Sequence, residues 1–556
     1  MNGVMRFCVV ALVTCGSAVS AFAQNSLPEI TTMMSGADEL KKDLQFMVEL
    51  GNAQDKKQWA SLSETLDTFL PGIDTKKPIR IDLLLQDKKL SYRSHFPITN
   101  INSFLKENLV GFQIKAARKG RNYWALNGSG FKGFMRFDNG YVSIAEDAKD
   151  VPDKAPDPAL ALAPLVQRKF DLGAIIKNTK KDEADLKARR DAVQELRKEF
   201  LALLKPLKDE SEDEFALRRL LAEHQFTEVE RFVVESEQLI IGWTTDVDQK
   251  VGSVDFDLTA LTGTPLDFSI QQLAEKRGLF QAMSRSENAI MSVKSNFPID
   301  PMRQGHLLAS LAQGLPVAEK KIDGIAELSD SGKAASKKAL QLFVTLLQDG
   351  TNMGIVDAYA EMTTEADNKH GLLGGIRLPE NGADTVREIL KQFPEMKEGN
   401  TVEFDVETVG DVALHKAHIV SGGVAIFEQW LGSEVDVWFA TGPKTAWIAE
   451  GVDGKERLKA AIQLVNDDTA TDISPLVIDF YVQVKPWIDL NAAKSKEPTQ
   501  KKIRELIESS FVAGEDVVTF TIARADNRAE AKFRAHEGFM RMIGKVVAEF
   551  TAENLR

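Results

Sequence analysis

PLVQRKFDLGAIIKN, residues Pro164–Asn178, and PLVIDFYVQVKPWIDLNAA, residues Pro475–Ala493, open alike and lie in opposite halves of the chain. Upstream of each stands a second matched pair, Tyr141–Asp147 (YVSIAED) and Thr445–Gly451 (TAWIAEG). Each follows an apolar segment and a turn-forming Asn-Gly or Gly-Pro. Further upstream, His95–Asn100 (HFPITN) opens onto INSFLKENL, much as Arg377–Asn381 (RLPEN) opens onto GADTVREILKQF. Matched landmarks in one order point to a tandem duplication. Runs of hairpin strands punctuated by single helices point to α+β, with antiparallel sheet and helices on one sheet face.

The first copy unfolds from these anchors. Gly36–Leu50 and Asp55–Phe69 have helical periodicity, the second through Trp59, Leu62, Leu66 and Phe69. Strands are expected at Ile79–Leu84 and Lys89–Phe96. Asn100 then caps a helix over Ile101–Leu109, and strands follow at Val110–Ala117, Asn122–Leu126, Gly133–Phe137 and Tyr141–Ala145. A Pro-spaced link, Val151–Pro158, leads to a strand around Val166–Leu172. The amphipathic stretch Asp182–Leu207 and the helix Glu212–Glu235 have no counterpart in the second copy and read as an inserted helical hairpin. Each copy closes with two strands and a helix: Leu239–Thr245, Ser253–Leu261 and Asp267–Lys276, then Val517–Ile522, Ala529–His536 and Gly538–Glu549. Gly263 is expected to stand near the place of Gly538.

Ser295–Asp300 (SNFPID) repeats the strand-Phe-Pro signature and suggests a partial third unit between the copies. The chain thus divides into a signal peptide (1–23), an N-terminal helical segment (24–54) and a first module (55–286) with the hairpin at about 180–235. A connecting segment (287–338) and a second module (339–556) follow.

Arg6, the apolar run Phe7–Thr14 and Ala21-Phe22-Ala23 before Gln24 have the form of a cleaved leader, which implies a periplasmic or secreted protein. Cys8 and Cys15 both fall inside it, so the mature chain would carry no disulfide, thiolate site or cysteine nucleophile. A lipid-attachment reading at Leu12–Cys15 places Thr14 awkwardly before the cysteine. No later segment has membrane-spanning length. The chain is 43% hydrophobic and 27% charged with a formal charge of −13, and no basic run interleaves with aromatics, which argues against nucleic acid as a partner.

The short motifs are weak. Gly128-Ser-Gly130-Phe-Lys-Gly133 fits G-x-G-x-x-G, but Phe134–Phe137 reads as a strand where a dinucleotide site needs a helix. Ser103-Phe-Leu-Lys106, Ser286-Glu-Asn288 and Lys444-Thr-Ala446 occur in the order of the penicillin-binding motifs, with Ser103 as nucleophile and Lys106 as its activator. Ala446 stands where glycine should let substrate lie along a strand. His415 and His418 are three apart in a strand and point to opposite faces, which disfavours shared chelation. Asp246-Val-Asp248 leading to Asp255-Phe-Asp257 departs from a calcium loop at Lys250, Gly252 and Asp257. Asn466-Asp467-Asp468 with Asp472 reads as a solvated acidic loop. No catalytic, cofactor or metal residue is assigned.

The strand-turn-strand rhythm ending in YVSIAED or TAWIAEG, behind a leader, resembles large secreted bacterial α+β proteins of unknown function. That resemblance implies a compartment and a fold style and no activity. The expectation is a non-catalytic extracytoplasmic binding or scaffold protein whose partner is an unknown protein. The alternatives are a periplasmic carrier of a lipid or other apolar ligand in a sheet-lined cavity, which the 30 phenylalanines would suit, and a serine hydrolase around Ser103. Phe200, Leu203 and Leu207 could form a docking stripe. Phe215, Leu220, Leu221, Phe226 and Val229 of the facing helix are expected to bury them.

Overall fold

The computed structural model describes residues 29–86, 89–128, 130–151, 157–178, 181–365, 370–420, 434–491 and 505–554. The leader with its two cysteines, Ser129 of the glycine motif, residues 152–156 of the Pro-spaced link and residues 179–180 at the foot of the hairpin lie outside them.

Helix and strand are mixed along the chain, and twenty strands join in one antiparallel sheet. The first ten are β1 (Glu29–Met34), β2 (Ile79–Gln86), β3 (Lys89–Pro97), β4 (Ile114–Gly120), β5 (Tyr123–Gly128), β6 (Phe131–Asp138), β7 (Tyr141–Ala145), β8 (Leu172–Lys177), β9 (Ser236–Asp246) and β10 (Val251–Ala260). The next five are β11 (Ala289–Pro298), β12 (Ile355–Thr364), β13 (His370–Arg377), β14 (Thr401–Val409) and β15 (Val412–Val420). The last are β16 (Glu434–Thr441), β17 (Thr445–Glu450), β18 (Leu476–Gln483), β19 (Val517–Ala525) and β20 (Arg528–Ala535). The helices begin with α1 (Ala37–Glu49), α2 (Ala53–Asp67), α3 (residues 101–111, with a π-helical turn at Phe104–Asn108), α4 (Pro158–Gln167), α5 (Glu183–Leu203), α6 (Glu212–Glu235) and α7 (Pro265–Gln272). They continue with α8 (Pro301–Asp323), α9 (Asp330–Asn352), α10 (Gly382–Leu390), α11 (Phe393–Met396), α12 (Gly454–Asn466), α13 (Val484–Asn491) and α14 (Glu537–Asn554).

From one edge to the seam the strands run β4-β5-β6-β7-β3-β2-β1-β8-β9-β10. From the other edge they run β14-β15-β16-β17-β13-β12-β11-β18-β19-β20. Adding ten to each number of the first series gives the second. The two series meet where β10 pairs with β20.

Directly opposed residues share a sheet face, so one row can be followed across the sheet. It runs from Ser143, His95 and Arg80 through Asp255 and Lys532 at the seam to Lys294, Tyr359 and Trp447. On this face α4 packs Leu162 and Leu165 on Met33, Ile175 and Ile240, while α12 packs Leu458 and Ile462 on Leu373 and Ala449. The other face takes α7, with Leu266 and Ile270 on Leu258 and Ala260, and α14, whose Met540 lies against Gly252. Helices therefore cover both faces, not one, because β9 and β10 carry apolar residues on both sides: Leu239, Ile240 and Ile241 are consecutive.

Three local expectations also change. Residues 24–54 hold strand β1 before their helix, and residues 287–338 hold β11, α8 and the start of α9 instead of a connector with part of a third unit. Pro164-Leu-Val is helical: Asp157 accepts from the Ala159 N–H (2.9 Å), Pro158 starts α4, and β8 begins only at Leu172. Gly263 and Gly538 each stand three residues past the end of their strand, β10 and β20, and differ in conformation: Gly263 lies in a left-handed turn and Gly538 in the first turn of α14.

Helices also tie one series of strands to the other. α14, from the C-terminal end, packs Ala548 against Val48 of α1 and Trp59 of α2. Its Gly544 comes so close to α1 that an added Cβ would lie 2.0 Å from the Met47 carbonyl oxygen. Arg541 donates to the carbonyls of Leu50 (3.0 Å) and Ser510 (2.7 Å) and to Glu515 (2.6 Å) and Glu537 (2.8 Å).

Candidate functional site

The hairpin α5–α6 stands between β8 and β9 and gathers more exposed large apolar side chains than any other part of the fold among the described residues. Its ends are set by local chemistry. Asp182 caps α5 by accepting from the Asp185 N–H (2.9 Å), and Ser211 with Glu214 forms a capping box on α6. The tip is clamped. Arg218 donates to Glu210 (2.7 Å) and to the Lys205 carbonyl (2.8 Å), and Glu210 accepts from the Leu207 N–H (2.8 Å). That guanidinium, followed by the Leu207 N–H, holds the Glu210 carboxyl below its ordinary range.

One side of α6 is fastened to α8. Arg231, 5% exposed, donates to Asp300 (3.0 Å), to the Pro265 carbonyl (3.1 Å) and to Ser269 (2.6 Å), whose hydroxyl donates in turn to Asp300 (2.9 Å). Burial pushes the Asp300 carboxyl up, but the Arg303 N–H, Arg231 and Ser269 together hold it below its ordinary value. Arg303 grips Glu228 with two bonds (2.7 and 2.8 Å), and His224 stacks on His306 at 4.0 Å. Lys321 meets Glu214 at 3.0 Å and Lys320 meets Asp213. The Ser211 N–H and then Lys321 hold Glu214 at about 2.

The outer sides are less covered. Along one flank Arg190 faces Glu230, Arg197 faces Glu223, and a groove of about 630 Å³ opens between Lys198, Leu201, Leu204 and Phe215. Phe200 meets Phe226 between the helices at 5.1 Å. Helical geometry then puts Leu203 and Val229 on the opposite flank. There Leu203 is 77% exposed, Leu207 63% and Phe200 46%, and on α6 Leu221, Val229 and Phe232 stand open at spacings of eight and three. The expected mutual burial of these side chains is therefore incomplete. The reason is geometric: α6 spends one face on α8 and a second on α5, which leaves the Leu221–Phe232 stripe without a neighbour.

The other residues singled out from sequence are dispersed. Ser103 lies in α3 between β3 and β4, Ser286 donates to Glu361 (2.6 Å), and Lys444 stands in the β16–β17 turn, so no active site forms from the three. The glycine motif is the β5–β6 hairpin turn, with Gly130 at positive φ. His415 is buried against Thr441 (2.9 Å), while His418 points the other way to Asp436 (2.9 Å). Asp246 accepts from the Gln249 N–H (2.9 Å) in a β9–β10 turn, and Asp257 pairs with Arg168. The acidic loop is not simply solvated: Asp468 takes Arg277, and the Asp472 carbonyl takes Arg277 (3.1 Å) and Gln281 (3.0 Å).

Sequence reasoning passed over Asp82, His95 and Ser143, which pairing brings together from β2, β3 and β7. Ser143 Oγ lies 2.7 Å from His95 Nδ1, and His95 Nε2 lies 3.1 Å from Asp82. Only the HFP context of His95 was visible in the sequence. The trio is closed to a substrate: Ser143 is 7% exposed, His95 2% and Asp82 4%. Asp82 is also engaged by Thr31 (3.0 Å), Arg80 (2.7 Å) and Arg93 (2.9 Å). Burial raises its carboxyl, yet His95 and the two arginines bring it well below the ordinary range, while burial lowers His95 despite Asp82. It is a satisfied core network in which a neutral imidazole bridges a hydroxyl and a carboxylate. Among the described residues no group of three or more His, Cys, Asp or Glu has the geometry to hold a metal ion. No helix among them is long and apolar enough to cross a membrane. No family model matches the chain, and no curated protein and no solved structure is similar to it.

Proposed function

We propose that this chain is a non-catalytic extracytoplasmic scaffold, made of two copies of one α+β module, that captures a helix of a partner protein on the apolar flank of α5–α6. The repeated strand order supports the two copies, and the leader-like start, Arg6 through Ala23, supports the compartment. The carrying observation is the exposed stripe Leu221–Val229–Phe232 beside Leu203, on a hairpin whose other side is clamped to α8. Apolar side chains at helical spacing form a ridge that fits between the ridges of another helix, and a contiguous exposed apolar patch on a soluble domain marks a contact surface. A clamped hairpin offers that ridge without an ordering cost at binding.

A photo-reactive side chain at Gln225, inside the stripe, tests the reading. It should cross-link to one discrete protein, and Leu203→Glu with Val229→Glu should abolish the adduct while the melting temperature moves by less than about 2 °C. Absence of any adduct, or an adduct that survives the double substitution, would overturn it. An adduct between two copies of this chain would replace the partner protein by self-association.

A further inference from the structure

The segment between α7 and β11 crosses the sheet face that carries Lys294 and Tyr359. It is pinned at two places. The Leu279 N–H donates to Asp357 (2.8 Å), and Ser286 donates through its N–H (2.7 Å) and hydroxyl (2.6 Å) to Glu361. Between the pins, residues 281–285 arch over β11 and β18 and leave a pocket of about 310 Å³. That volume lies at the small end of ligand sites, which span roughly 300–1,000 Å³.

The charges in this pocket are arranged unusually. Lys294 and Asp479 are directly opposed in the β11–β18 pairing, where a lysine and an aspartate ordinarily meet. Lys294 instead donates to the carbonyls of Met283 (3.0 Å) and Gln281 (3.4 Å), beneath the arch. The Asp479 carboxylate is left without a hydrogen-bond or ion-pair partner among the described residues and lines the pocket. Arg285, exposed at the arch, lies over the Tyr481 ring at 3.7 Å and has no carboxylate within ion-pair reach among the described residues. Tyr359 donates to Glu361 (3.0 Å), which occupies that carboxylate, and Ser292 lines the floor.

A guanidinium, an ammonium with a third N–H to give and an open carboxylate thus line one pocket. From this we infer a binding site for a small aminocarboxylate, of the size of a free amino acid. Its carboxylate is taken by Arg285 with Lys294, its ammonium by Asp479, and its side chain lies along Tyr481. Both ends gain charge-assisted hydrogen bonds that the empty pocket lacks, and Arg suits the carboxylate because its planar fork matches two oxygens.

The full chain, titrated calorimetrically with each L-amino acid and with acetate and methylamine as single-charge controls, tests this. At least one amino acid should bind with a Kd below about 1 mM, and the controls should not. Arg285→Ala and Asp479→Asn should each weaken binding roughly 10–100-fold, the loss of one charge-assisted pair. Should Asp479→Asn melt early without ligand, exposed Arg285 decides alone. No amino acid binding at that level, binding unchanged in Arg285→Ala, or controls binding as well as amino acids would each overturn the site.

Discussion

The β8–β9 and β18–β19 connections leave the same place in their strand series and are built differently. The first spends residues 178–235 on two long helices, while the described residues of the second, between β18 and β19, hold only α13 and a short helical turn at residues 505–510. Yet β8 and β9 pair from Leu172↔Trp243 to Lys177↔Gln238, and β18 and β19 from Leu476↔Ala523 to Gln483↔Val517. Strand pairing therefore does not need the hairpin. What the hairpin adds is a charged clasp on α8, centred on Arg231 and Asp300. The reciprocal clasp, α14 on α1 and α2, is mostly close apolar contact around Gly544, Val48 and Trp59. One clasp depends on pairing charges out of water, the other on leaving no room.

Breaking the charged clasp should cost most. Arg231→Ala leaves Asp300 buried with Arg303, at 3.7 Å, as its remaining cation, a loss of up to about 3–5 kcal/mol. Denaturant unfolding would show it, and Asp300→Ala added to Arg231→Ala should recover part of the loss. A loss below about 1 kcal/mol would mean that the clasp holds nothing together.

On the close-packed side, Gly544→Ala would drive a methyl group into the Met47 backbone. The expected cost is about 1–3 kcal/mol, seen as a fall in the melting temperature. An unchanged melting temperature would show that α14 can shift on α1 freely.

The last effect is a slope. Asp43 of α1 is 3% exposed, and its carboxyl is pushed up to about 7 by burial and then by Asp171 beside it. A carboxyl that keeps its proton in the fold stabilises below its unfolded value of about 3.9 and loses that contribution as pH rises through about 7. Stability should fall between about pH 4 and 7 by up to about 1.4 kcal/mol per pH unit, and Asp43→Asn should flatten the fall. An equal slope in both proteins would assign the titration elsewhere.

Much of the element order was readable because its signals are local. Asn100 accepts from the N–H groups of Asn102 and Ser103 as a cap should, and Asp182 and Ser211 start the hairpin helices where the periodicity begins. β1 (EITTMM) escaped because it does not alternate cleanly between apolar and polar residues, and β11 (AIMSVKSNFP) was legible only at its SNFP end. The same Pro-Leu-Val became helix after Asp157-Pro158 and strand at Leu476, so flanking caps outweighed identity. Leu203 was legible as a stripe residue, but Leu221 and Val229 were read as its cover and Phe232 was passed over, because their exposure depends on where α8 lies. The Arg285–Asp479 pocket was out of reach, since it joins positions nearly two hundred residues apart through strand pairing alone.

A sheet that never closes on itself keeps two raw margins, and here they are β4 and β14, each with one neighbouring strand among those described. An unpaired margin is a template on which another chain can polymerise. β4 presents Lys115, Arg118 and Lys119 along its length. β14 breaks its pairing between Glu403 and Glu407, with Asp405 at φ 55° between them. Cationic side chains on one border and a kinked, acidic run on the other act as gatekeepers against fibre growth. A molecule with this much open β-structure can thus stay dispersed without a barrel's closure.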